Sequence, residues 1–89
     1  MAKAFVLINC ELGSEKQIVS DLKKLDCTKD VLGTFGAYDI LANLECDNFE
    51  TLRQLILEEI RKIKNIRSTV TLMGVDGEIQ WVGHDKTKI

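Results

Sequence analysis

A chain of 89 residues closes around one core only, because at this length roughly 60 to 70% of the unfolded surface is buried on folding. A composition of 45% hydrophobic and 29% charged residues is that of a globular domain and excludes a disordered or collagen-like chain. The longest apolar run, Ala4 to Ile8, is far short of the roughly 20 residues of a membrane-spanning helix. No secretory signal pattern surrounds that run, so a cytoplasmic protein is expected. The net charge of -2 is the wrong sign for holding phosphates by counterion release, and direct DNA binding is not expected.

In chain order, Ala4 to Leu12 is rich in β-formers and apolar on both parities, the pattern of a central strand covered on both sides. Gly13 breaks it. Ser14 with Gln17 three residues later reads as a capping box opening a helix that ends near Asp26, with Ile18, Leu22 and Leu25 on one face. Val31 to Phe35 and Asp39 to Glu45 read as strands joined in a hairpin. Asp47 with Glu50, or Asn48 alone, caps a second helix whose stripe is Phe49, Leu52, Ile56, Ile60 and Ile63, with Leu57 left over on the far side. Ser68 to Val75 alternates as a fourth strand, with Val70 and Leu72 on one side and Thr69, Thr71 and Met73 on the other. Asp76-Gly77 is a hairpin turn signal, Glu78 to Val82 the returning strand, and His84 to Ile89 a polar tail.

The order is α+β: a ferredoxin-like βαββαβ plan with a four-stranded antiparallel sheet and a fifth strand from the C-terminal hairpin. Right-handed crossovers place both helices on one sheet face. The other face then exposes apolar side chains of strands one and three, more than a monomer usually leaves in water, and a second copy related by a two-fold axis is the simplest cover. Residues 1–75 form the folded unit on this reading and 76–89 an added hairpin strand and tail.

Chemistry-bearing residues are few. His84 stands alone beside Asp85 and Lys86, a setting more often solvated than catalytic, and no catalytic residue is assigned. Trp81 and Val82 suit the cover of an edge or a neighbouring subunit. Arg61, Lys62, Lys64 and Arg67 gather where a helix ends, where positive charge relieves its dipole. Cys10, Cys27 and Cys46 form no CxxC pair and have no nearby His, so neither a disulfide framework, a metal site nor a cofactor is indicated. Strands one and three are read as parallel neighbours, which brings Cys10 and Cys46 to the same strand ends as buried reduced thiols.

The unusual stretch is Gly33 to Asp39. Two glycines three apart allow positive φ and leave amides uncovered, a nest suited to a carboxylate, while Asp39 offers an acceptor to an ammonium group. An α-amino acid carries both. Glycine in a hairpin is also ordinary turn chemistry. Thr69 and Thr71 share a strand face and point their hydroxyls away from the helices if Val70 and Leu72 face the core, although threonine in a strand is most often there for its β-branching.

The run AFVLINCE, the loop Gly36-Ala37-Tyr38-Asp39, the helix DNFETLRQLILEEIRKI and the strand Thr69-Val70-Thr71-Leu72 resemble the effector (RAM) domain of the Lrp/AsnC transcription regulators over residues 3 to 75. The resemblance implies a dimeric α/β barrel, packed sheet to sheet and assembled into rings of four or five dimers. It also implies a free amino acid bound between dimers by Gly36, Tyr38, Asp39, Thr69 and Thr71. Full-length regulators of the family are further partners on this view. Family regulators carry an amino-terminal helix-turn-helix, whereas here the first strand starts at Ala4, so the chain resembles the stand-alone domain. Ala37 replaces a residue often polar in the family, and the hairpin after Asp76 is not explained by the resemblance. The readings in competition are a non-enzymatic amino-acid sensor, a small dimeric α+β barrel enzyme of the monooxygenase kind, and a pure assembly domain; Asn9 and Asn43 are the only amides on central strands to serve an enzyme.

Overall fold

Strand β1 (Ala2–Cys10) is the axis of the sheet, and its alternation decides the architecture. Ala2, Ala4, Val6, Ile8 and Cys10 are buried, while Lys3, Phe5, Leu7 and Asn9 point the other way and keep exposure. The computed structural model describes residues 1–34, 36–75 and 78–85, the backbone alone for 75 and 78–85. Helix α1 (Glu15–Lys23), β2 (Thr28–Gly33), β3 (Ile40–Cys46), helix α2 (Phe49–Gln54, continued as a π-helical segment over Leu55–Ile60), β4 (Ile66–Val75) and β5 (Glu78–Asp85) follow in order. The sheet is five-stranded, β2-β3-β1-β4-β5, with every neighbouring pair antiparallel. That is the ferredoxin-like plan with one further strand on the β4 edge. The expected fifth strand runs on through His84 and Asp85 instead of giving way to a tail there. The Asp76-Gly77 turn, Phe35 at the end of the expected second strand, and residues 86–89 lie outside the described residues.

Both helices cover one face. Ile18 and Leu22 of α1 and Leu52 and Ile60 of α2 pack on the row of buried β1 and β3 residues, with Leu25, Leu55, Ile56 and Ile63 partly buried around them. The helical periodicity read from the sequence holds in α1, and in the second helix it holds for Leu52, Ile56, Ile60 and Ile63. A π-helix takes more residues per turn, which lets Leu55 and Ile56 both reach the core before Ile60 returns to it. Phe49, on the expected stripe, stands partly in solvent at the helix start. Asn48 caps α2, its side-chain Oδ1 accepting from the Thr51 amide at 2.8 Å in the extended conformation a cap requires. The capping box expected at Ser14 does not form, because Ser14 already has helical dihedrals (φ -96°, ψ -1°) and makes no side-chain cap bond. Glu15 instead accepts from the Gly13 amide at 3.1 Å.

Three expectations change. β1 and β3 are antiparallel, with Ala2 opposite Cys46, so Cys10 and Cys46 lie at opposite ends of the sheet. Cys46 is joined to Cys27 by a disulfide, with a Cα separation of 5.3 Å, and Cys10 is the buried free thiol. The third concerns β4: Thr69, Thr71 and Met73 pair with Ile8, Val6 and Ala4, all buried, so the threonines face the helix side, while Val70 and Leu72 face away. Residues directly opposite in an antiparallel ladder share a face, which leaves no other assignment.

The face without helices is correspondingly apolar. In register across four strands, Leu32, Leu41, Leu7 and Val70 form one row, and beside it lie Phe5 and Leu72. Leu32 is 56% exposed and Phe5 37%. The polar members are Asn43 with Asp30 opposite it, Asn9 with Ser68 opposite it, and the Lys3–Glu45 ion pair at 3.9 Å near one end.

Candidate functional site

The loop between β2 and β3 is built by turn chemistry around residues 33–39. The Thr34 hydroxyl donates to the Tyr38 carbonyl, and the Thr34 amide donates to the Asp39 carbonyl at 2.9 Å, closing the loop on itself. Gly36 takes φ +114°, a conformation that L side chains rarely adopt, and a Cβ there would meet nothing within 4 Å; backbone geometry and not crowding therefore asks for glycine. Gly33 ends β2 outside the left-handed region, so only one of the two glycines supplies the positive φ. Gly36 and Ala37 are exposed, and Tyr38 and Asp39 half-buried.

Asp39 fastens this loop to the end of β1. Its amide donates to the Ile8 carbonyl at 2.9 Å, and its carboxylate Oδ2 accepts from the Cys10 amide at 3.0 Å. Burial, then the Asp39 carboxylate, push the Cys10 thiol up to about 11, so it stays protonated and unreactive at neutral pH. Cys10 and Thr34 are partners of the loop that sequence reasoning did not assign. Thr34 carried a signal, a hydroxyl residue at the start of a glycine turn, but nothing in the spacing links Cys10 to Asp39, 29 residues away. Asp39 has acceptor capacity beyond its bond to Cys10, since a carboxylate offers about four lone-pair sites.

Thr69 and Thr71 lie on β4, each 8% exposed. The Thr71 hydroxyl has no hydrogen-bond partner among the described residues, an uncommon state for a buried hydroxyl. Within one chain the loop and the threonine strand stand on opposite sides of β1, for Ile8 pairs with Ile40 on one flank and with Thr69 on the other. The structure thus brings Gly36, Tyr38 and Asp39 together, and Thr69 and Thr71 together, separated by two strand spacings of about 4.8 Å each. None of the five lines the open groove of about 400 Å³ found between the end of α1 and α2, whose walls include Lys24, Asp26, Gln54, Glu58 and Glu59. Among the described residues no cluster of three or more His, Cys, Asp or Glu could hold a metal ion, and no helix is long and apolar enough to cross a membrane. The side chains of Trp81, Val82 and His84 lie outside the described residues. Of the basic residues expected at the helix end, Arg67 lies on β4 and approaches Glu11 at 3.8 Å.

The sequence model of the Lrp/AsnC ligand binding domain matches residues 3–76. An uncharacterised HTH-type transcriptional regulator of Pyrococcus abyssi is 41% identical over 69 residues, which is 76% of this chain and 43% of the regulator. The chain thus spans less than half the length of that relative. Among solved structures, a hypothetical protein of Pyrococcus horikoshii superposes with a TM-score of 0.80 at 31% identity, covering 84% of this chain and 90% of the other. A transcriptional regulator of Neisseria meningitidis, solved as its L-Met complex, shares the fold with a TM-score of 0.74 at 10% identity, over 99% of this chain and 55% of its own. Matched over nearly all of its ferredoxin-like core and related to transcription regulators, the chain belongs to the Lrp/AsnC ligand-binding domain family, a regulatory module and not an enzyme.

Proposed function

We propose that this chain is a cytoplasmic amino-acid-sensing domain that acts on transcription through assembly and reads no DNA itself. The observation that carries the reading is the pairing of exposed loop backbone at Gly36 with the Asp39 carboxylate three residues on, two groups matched to the two charges of a free α-amino acid. The buried Thr71 hydroxyl, lacking a partner among the described residues, supports a polar ligand on the β4 side. The amino acid in the Neisseria meningitidis complex supports the ligand class. Because β1 separates the loop from the threonines, the site takes its two halves from different protomers. The apolar face of β1, β3 and β4 is the surface for a sheet-to-sheet homodimer, from which octamers or decamers and mixed assemblies with full-length regulators are built.

Asp39→Asn tests the assignment. Asparagine still offers an oxygen to the Cys10 amide, so the loop is retained, but one charge-assisted bond to an ammonium becomes neutral. Binding of the responsive amino acid, measured by calorimetry, is expected to weaken by about tenfold, or roughly 1.4 kcal/mol. Equal affinity in the two proteins would leave Asp39 as the anchor of its loop alone and remove the ammonium role.

A further inference from the structure

The Cys27–Cys46 disulfide fastens the edge of the sheet, and the surroundings of its two sulfurs differ. Strand β2 pairs with β3 only, its other edge is open, and Val31 is its one buried residue. The ladder is interrupted at the end where Cys27 enters, between Thr28 and Asp30. Two further ties hold that end: the Glu45 amide donates to the Cys27 carbonyl at 2.8 Å, and the Thr28 hydroxyl donates to the Leu22 carbonyl at 2.7 Å. The covalent bond closes a sequence separation of 19 residues that contains all of β2, the loop over residues 33–39 and most of β3. Cys27 is half-buried, whereas Cys46 is 2% exposed. Cys10 lies at the other end of the sheet and cannot exchange with either.

We propose that Cys27 and Cys46 form a two-electron redox pair that sets how firmly β2 and its loop are held. A low-molecular-weight thiol such as glutathione attacks the more accessible Cys27 sulfur, forming a mixed disulfide and releasing Cys46 as a thiolate that takes up a proton. A second glutathione resolves the mixed disulfide, so that two glutathione molecules become one oxidised glutathione and the chain gains two thiols. Reduction returns the closed loop's freedom to the unfolded state and leaves β2 on its hydrogen bonds and Val31 alone. Any effect on amino-acid binding rests on the site proposed above, whereas stability and strand protection do not.

The test equilibrates the full chain with oxidised or reduced glutathione and counts thiols in denaturant: one free thiol in the oxidised protein and three in the reduced, of the three cysteines present. The melting temperature is expected to fall by about 10 to 25 °C on reduction. Hydrogen exchange at the Leu32 amide, which like that of Thr34 points toward β3, is expected to accelerate by tenfold or more while the Val6 and Ile8 amides of β1 change less. The Cys27→Ser, Cys46→Ser double variant should melt with the reduced protein and ignore glutathione. Three thiols persisting in excess oxidised glutathione, or a melting temperature unmoved when the thiol count rises from one to three, overturns the proposal.

Discussion

Leu41→Asp is expected to leave folded monomers in place of the proposed sheet-to-sheet dimer. Leu41 sits in the row Leu32, Leu41, Leu7 and Val70 on the face that neither helix covers, and in one protomer it is only half-buried. A carboxylate there is solvated in the monomer, so the fold survives, but in a sheet-to-sheet dimer it is stripped of water among leucines. An uncompensated buried charge costs about 3 to 5 kcal/mol, and two-fold symmetry introduces it twice. The dimer dissociation constant is therefore expected to rise by more than about 100-fold. Sedimentation measures this, with far-UV circular dichroism showing that the secondary structure remains. Leu57→Asp is the control: Leu57 is 41% exposed on the helical side, and the same charge there should leave the dimer intact. If the Leu41 and Leu57 variants sediment alike as dimers, the open sheet face is not the interface.

Leu22→Ala is expected to produce the largest loss of stability among single substitutions in α1. Leu22 is fully buried between that helix and the sheet, in a core shared with Ile18, Leu44 and Leu52. Truncating a leucine in such a place removes its transfer free energy and leaves a cavity, together about 2 to 5 kcal/mol. For a domain of this size that amounts to a fall of about 10 to 30 °C in melting temperature, a large part of the total stability. Leu32→Ala removes the same atoms from a side chain that is 56% exposed, and it should cost far less in the protomer's own unfolding. Measurements at one protein concentration are needed, since assembly itself raises the apparent stability. Equal losses in the two variants would mean that the helix-covered face is not the core.

The order of elements was legible because the apolar spacing changes plainly from strand to helix. Ile18, Leu22 and Leu25 recur as a helix face, and Ile40, Ala42 and Leu44 alternate as a strand. What could not be read is which face each strand turns inward when both parities suit burial. In β4, valine and leucine occupy one parity and threonine and methionine the other; the pairing of Val6 with Thr71 places the threonines under the helix-side layer. That choice depends on register between strands distant in sequence, and local pattern does not contain it. The disulfide was hidden for the same reason, because spacing alone does not show that Cys27 enters the edge strand beside the end of β3. At the loop, glycine and aspartate were visible as turn chemistry, but the bond from the Cys10 amide to Asp39 joins elements 29 residues apart.

That bond also limits how the loop responds to a ligand. With one carboxylate oxygen holding the end of β1, Asp39 is oriented before anything binds, and an ammonium group would meet a fixed acceptor. Gly36, exposed and at positive φ, leaves the neighbouring backbone open to approach.

Calorimetric titration of the intact protein with each of the twenty amino acids, read beside thermal unfolding at the same concentrations, decides whether the domain is a sensor. At least one amino acid should bind saturably, and at 100 times its dissociation constant it should stabilise the protein by about 2.7 kcal/mol. The Asp39→Asn protein should need about ten times more of the same amino acid for the same effect. If none of the twenty gives saturable heat or raises the melting temperature at millimolar concentration, the domain does not sense amino acids.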